Sequence, residues 1–162
     1  MHTVYLLTGS NLGDSTAYLA EAAKQIEQKV GKIVRRSSLY ETEPWGVTNQ
    51  PAFLNQALAV ETSLKPAPLM QVLLSIENEM GRKRAEKYGP RTIDIDQLFY
   101  EDQIIQDINL IIPHPEIQHR RFVLGPLCEI APHFVHPLFN RNMLELLNDC
   151  TDHSNVQKKL MV

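Results

Sequence analysis

The order in which hydrophobic periods change along the first hundred residues constrains this chain more than any single motif. An apolar, strand-forming run over residues 3–8 ends at Gly9-Ser10-Asn11, a turn signal. Asp14 is placed to cap a helix whose stripe of Tyr18, Leu19, Ala22, Ala23, Ile26 and Val30 keeps helical spacing as far as Gly31. The period then shortens to that of strands over residues 32–42 and 53–62, around a loop carrying Pro44, Trp45, Gly46 and Pro51. Pro66 and Pro68 suit a first helical turn, Leu69, Val72, Leu73, Ile76 and Met80 mark its buried side, and Gly81 ends it. Residues 92–100 read as a fourth strand. Strand, helix, strand, strand, helix, strand predicts an α+β fold with a ferredoxin-like βαββαβ core, its antiparallel sheet covered by helices on one face. A C-terminal extension follows. It is expected to hold a short strand near Ile104 and Ile105, an irregular stretch over 109–115, and a short or broken helix over 122–130 because of Pro126. A helix over 142–148 and a fraying polar tail over 151–162 complete it. At 162 residues the chain fits one domain, 1–162.

The chemistry gathers where the second helix gives way to the fourth strand. Arg82, Lys83, Arg84, Lys87 and Arg91 are five of the sixteen Lys and Arg residues, packed into ten positions ahead of the strand. Within the strand Asp94 and Asp96 stand two apart, so both carboxylates share one face while Ile93 and Ile95 point into the core. Two carboxylates on one face repel each other unless a cation lies between them. Mg2+ is suited to the place, because it commonly takes one or two carboxylates together with substrate phosphates. The arginines supply planar, bidentate donors for phosphate oxygens. Carboxylates for metal beside arginines for phosphate point to phosphoryl-transfer chemistry on a Mg-nucleotide.

Two further groups bear on the ligands. His114 lies between Pro113 and Pro115, close in sequence to Arg120 and Arg121, and is read as a donor to phosphate oxygens; His119 is read as surface. Phe53 and Asn55 share a strand face, an aromatic beside a carboxamide, and suit the stacking and hydrogen bonding of a flat heterocycle.

Composition narrows the function classes. A net charge of −3 speaks against a nucleic-acid coat protein and leaves the clustered cations for a local anionic ligand. Cys128 and Cys150 have neither zinc-ligand spacing nor the count of a secreted disulfide framework. The amino terminus lacks a basic segment before its short apolar run, and no stretch has the length of a membrane span, so a cytoplasmic protein is expected. There is no P-loop, protein-kinase signature, nucleophile elbow or HExxH motif. Another two-metal nucleotide transferase, releasing pyrophosphate, remains an alternative. A ferredoxin-like RNA-binding module is disfavoured by the negative charge and the missing RNP1 pattern.

The run Gly89-Pro-Arg-Thr-Ile-Asp-Ile-Asp96, with Gly9-Ser-Asn-Leu-Gly13, Tyr40-Glu-Thr42, Phe53-Leu-Asn55, Gly81-Arg-Lys-Arg84, Pro113-His-Pro115 and Arg120-Arg-Phe-Val123, resembles the 6-hydroxymethyl-7,8-dihydropterin pyrophosphokinases of folate biosynthesis. The resemblance covers nearly the whole chain. It implies a ferredoxin-like fold and transfer of pyrophosphate from ATP to the pterin hydroxymethyl group, releasing AMP. It implies two Mg2+ ions on Asp94 and Asp96, and phosphate contacts from Arg82, Arg84 and Arg91. The nucleotide would further meet Glu77, Tyr88, His114 and Arg120. The pterin would lie between Phe53 and Phe122, with Asn55, Thr42, Trp45 and Asp94 around it. The implied partners are ATP and the pterin alone, with no nucleic acid and no membrane, acting on a monomer. Departures from the family pattern are Tyr88, where Trp is common, Trp45, where a smaller residue is common, and Gln97, where an aliphatic residue is common near the nucleotide.

Overall fold

The structure, a computed structural model, describes residues 1–43, 52–81 and 92–159. The chain runs β1 (His2–Ser10), α1 (Ser15–Lys29), β2 (Gly31–Arg36), β3 (Tyr40–Thr42), β4 (Phe53–Thr62), α2 (Pro66–Glu79) and β5 (Asp94–Tyr100). The extension adds β6 (Ile105–Asp107), β7 (Leu110–Ile112), α3 (Arg121–Ile130), α4 (Met143–Asp149) and β8 (Val156–Lys158). The main sheet has the order β5-β1-β4-β3-β8, with β2 also paired to β4, and every pairing is antiparallel. With β2 and β3 taken together beside β4, this is the predicted ferredoxin-like core.

The helices form where their stripes and ends direct. Asp14 caps α1 by accepting from the Ala17 N–H, and Leu19, Ala22, Ala23 and Ile26 are its buried residues. Pro66 opens α2, which buries Leu69, Leu73, Ile76 and, unexpectedly for a charged residue, Glu77. These stripes pack on Val4, Leu6, Leu58 and Val60 of the central strands. The opposite face is covered too. There Tyr5, Leu7, Ala57 and Ala59 meet Val123, Leu124 and Leu127 of α3 and Met143 and Leu146 of α4. The C-terminal extension is therefore the second helical layer of the domain. β1 and β4 are buried on both faces, which is why their sequences are nearly continuous apolar runs.

The structure departs from the sequence reading at four places. Gly9 and Ser10 lie within β1, paired to Asn55 and Leu54, and do not form a turn. The single strand expected over residues 32–42 is two, because Ser37 leaves the ladder and its hydroxyl accepts from the Ala57 N–H. Leu110–Ile112 forms a hairpin with Ile105–Asp107 where an irregular stretch was expected. Part of the tail is ordered: β8 pairs with β3, and the Lys159 N–H donates to Leu39. The short helix expected over 122–130 is present as α3, ten residues long and continuous through Pro126. Among the described residues no helix is long and apolar enough to cross a membrane.

Candidate active site

β5 is an edge strand, and its sequence places its side chains on both sides of the sheet. Ile93 and Ile95 are buried against α1 and α2, whereas Asp94 and Asp96 stand half-buried on the opposite face, as the alternation predicts. Past them the register slips. Leu6 pairs with Gln97 and Tyr5 with Phe99, so Leu98 is a bulged residue. Leu98 and Phe99 consequently both pack toward α3, and Tyr100 returns to the α1–α2 face. The outward edge of the strand is tied down by two contacts. The Ile95 N–H donates to the Glu77 carboxylate at 2.7 Å, and the His114 N–H donates to the Leu98 carbonyl at 2.9 Å. Glu77 thus holds the end of α2 against the strand that carries the two aspartates.

Gly9 is the centre of the arrangement on the α3 side. It pairs with Asn55 of β4 and with Asp94 of β5, so the two side chains flank a residue that has none. A Cβ at Gly9 would lie 2.5 Å from Asn55 Oδ1. Glycine inside a strand commonly marks such a close approach. The missing side chain leaves the space over Gly9 to the Asn55 carboxamide. Asn55 is 4% exposed and its Nδ2 makes no hydrogen bond; Thr42 Oγ1, on the strand opposite Phe53, is likewise buried and unpartnered. Buried polar groups normally find partners, so these atoms mark a place built to meet a polar ligand. Phe53 and Phe122 are half-buried, the latter in the first turn of α3 with the Arg120 guanidinium 5.8 Å from its ring centre.

On the edge of β5, a cleft of about 330 Å³ opens between α2 and the β6–β7 hairpin. Its walls are apolar, from Leu73, Ile95 and Leu110, and its polar residues include Glu77, Asp96, Gln97 and His114. That is the size and composition of a small-molecule site. The Glu116 N–H donates to His114 Nδ1 at 3.2 Å, which leaves the ring proton on Nε2 as a donor. Burial holds the His114 imidazole below its ordinary pKa; Asp96 opposes this, Arg120 adds to it and Glu116 opposes it.

The structure therefore joins Asp96, Glu77 and His114 around one cleft, and Asn55 and Asp94 around Gly9. Arg82, Arg84, Tyr88, Arg91 and Trp45, with the neighbouring Lys83 and Lys87, lie outside the described residues. Sequence reasoning missed the part played by Gly9, which the period of two makes the third member of the row Tyr5, Leu7, Gly9. It also missed the hairpin wall of the cleft. Asp94 and Asp96 supply hard oxygen donors two residues apart on one strand face, a donor set that fits Mg2+ completed by phosphate oxygens.

A family model for 7,8-dihydro-6-hydroxymethylpterin-pyrophosphokinase matches residues 5–132, from β1 through α3. The chain belongs to this pyrophosphokinase family. Two relatives are each named 2-amino-4-hydroxy-6-hydroxymethyldihydropteridine pyrophosphokinase. The protein from Methylorubrum extorquens is 48% identical over 136 residues, covering 83% of this chain and 86% of the relative. The protein from Aquifex aeolicus is 42% identical over 145 residues, 90% of each chain. Among solved structures, a Plasmodium falciparum HPPK-DHPS triple mutant with SDX-DHP superposes with a TM-score of 0.76 over 91% of this chain at 20% identity. This chain spans 44% of that one, and the likeness is one of fold.

Proposed function

We propose that the chain transfers the pyrophosphoryl group of ATP to the hydroxymethyl oxygen of 6-hydroxymethyl-7,8-dihydropterin, releasing AMP. The observation that carries the reading is the placement of Asp94 and Asp96 on one face of β5, between Gly9 and the cleft. The hydroxymethyl oxygen bonds to the β-phosphorus while the bond from that phosphorus to the α,β-bridging oxygen breaks. AMP leaves with the electron pair, and the hydroxyl proton passes to solvent. Asp94 and Asp96 would hold two Mg2+ ions, which when bound would supply charge neutralisation at the phosphate oxygens.

The chain's own groups orient the two substrates. The neutral His114 donates its Nε2 proton to a phosphate oxygen, and Arg120 adds its charge nearby. Arg82, Arg84 and Arg91 are assigned the remaining phosphate oxygens, and Tyr88 the nucleotide. Glu77 keeps β5 in place beneath the nucleotide. The pterin ring enters beside Gly9, where Asn55 Nδ2 and Thr42 meet its polar edge and Phe53, Phe122 and Trp45 close around it. Catalysis comes from positioning and charge neutralisation, with no general base required. The reading includes a cytoplasmic monomer with no nucleic-acid or membrane partner.

Product analysis with ATP, Mg2+ and the pterin tests it. AMP together with pterin pyrophosphate is expected, dependent on both metal and pterin. ADP, or free pyrophosphate with AMP attached to the acceptor, would overturn it.

A further inference from the structure

Gln97 lines the cleft with a buried polar group that the proposed chemistry leaves unused. It is 7% exposed, on the α1–α2 side of β5, and it lines the cleft beside Asp96. Its Oε1 is buried without a hydrogen-bond partner. Its Nε2 faces the Pro66 carbonyl at 3.4 Å, which fixes which end of the amide is which. A buried amide oxygen without a partner is costly, and an aliphatic side chain at this position would pack with Leu73 and Ile95 at no such cost.

We propose that Gln97 reads the base of the nucleotide, its Oε1 accepting a hydrogen bond from an exocyclic amino group on a purine held between Leu73, Ile95 and Leu110. The inference rests on the nucleotide reading of the cleft and adds base selection to it. The chemistry follows from the orientation of the amide. With Nε2 turned to Pro66, Gln97 offers the cleft an acceptor only, so it favours a donor at the base edge. Adenine presents an amino group at C6. Hypoxanthine and guanine present an oxygen there, and two acceptors face to face repel. A site that hydrogen-bonds a substrate group rejects an analogue lacking it, because the buried partner is then left unpaired.

The test compares binding of two α,β-methylene triphosphates to the full chain with Mg2+ by calorimetry, one with adenine and one with unsubstituted purine. Loss of the amino group is expected to weaken binding to the native chain about tenfold, the scale of one good hydrogen bond, and the hypoxanthine analogue to bind more weakly still. In Gln97→Met the adenine and purine analogues should bind within about twofold of each other, by loss of the adenine advantage alone. Equal affinities in the native chain overturn the proposal without recourse to any variant. A full adenine preference surviving in Gln97→Met also overturns it, by assigning the selection to another group. Failure of both analogues to bind overturns the nucleotide reading as well; AMP release from ATP with no adenine preference sinks only the role of Gln97.

Discussion

The two faces of the central sheet are packed by different rules. The face under α1 and α2 is aliphatic: Leu19, Ile26, Leu69, Leu73 and Ile76 close on Val4, Leu6, Leu58 and Val60. The face under α3 and α4 holds Tyr5, Phe99 and Phe134 in mutual ring contact and, at its open end, Gly9, Asn55, Asp94 and Asp96. Of the buried side-chain atoms without partners, Asn55 Nδ2 shares the face of Ala57 and Ala59 and His136 Nε2 lies against Phe99, while Gln97 Oε1 belongs to the α1–α2 face at the cleft. One face supplies stability. The other gives some of it up, because a site for polar ligands must leave polar groups unmatched until the ligand arrives.

Substitutions on the two faces should therefore fail in different ways. The largest effect belongs to Asp96→Ala, which should lower Mg2+-dependent turnover by about a thousandfold or more while the thermal midpoint stays near that of the native chain. Substantial turnover in that variant would move the metal site elsewhere. Ile26→Ala, on the aliphatic face, should do the reverse. Denaturant melts should show a loss of about 2–5 kcal/mol, with kcat unchanged for the folded fraction. Gly9→Ala brings a methyl group against Asn55 and should weaken pterin binding about tenfold while nucleotide affinity holds; the mechanism is the occupied close approach of a strand glycine. Parallel losses for both ligands would show a general distortion of β1.

The aromatic face should also respond to acid. His136 is fully buried, stacked on Phe139 and edge-on to Phe99, and burial pushes its imidazole pKa down to about 4. Its Nδ1 accepts from the Leu138 N–H, which fixes the neutral tautomer. The unfolded chain binds this proton near the ordinary histidine pKa of about 6.5, so the neutral ring's contribution is present above that pH and is lost as pH falls toward 4. The midpoint of thermal unfolding should fall over that window, and His136→Phe should flatten the fall. The smallest effect is expected at Asn142, whose side chain and that of Glu145 form a reciprocal capping box on α4. Asn142→Ala should cost about 1 kcal/mol, read in denaturant, with no kinetic signature.

The faces differed in how readily they could be read. The stripes of α1 and α2 have a full helical period, and each needs only neighbours close in sequence to be seen. The run of β1 is apolar on both sides, which signals a second covering layer, but nothing local says which later segment provides it. The same limit hid β8: its pairing with β3 joins residues more than a hundred positions apart, such as Tyr40 and Lys158, through three exposed or half-exposed residues with little pattern of their own. Asp94 and Asp96 were legible because alternation holds as far as Gln97. Tyr100 was not, because the bulge at Leu98 reverses the faces beyond it. Gly9 looked like punctuation, since the composition of a turn and that of a ligand-facing strand end are the same.

The contact between Glu77 and Ile95 has a consequence beyond the site. The aspartates ride on a border strand, whose outward N–H and C=O groups are the kind that recruit a second chain into a shared sheet. Glu77 takes up the Ile95 N–H and the His114 backbone takes up the Leu98 carbonyl, so residues that line the cleft also cover this edge. Any exchange at Glu77 that retunes the cleft must keep an acceptor for Ile95, or the catalytic strand becomes the seed of an aggregate.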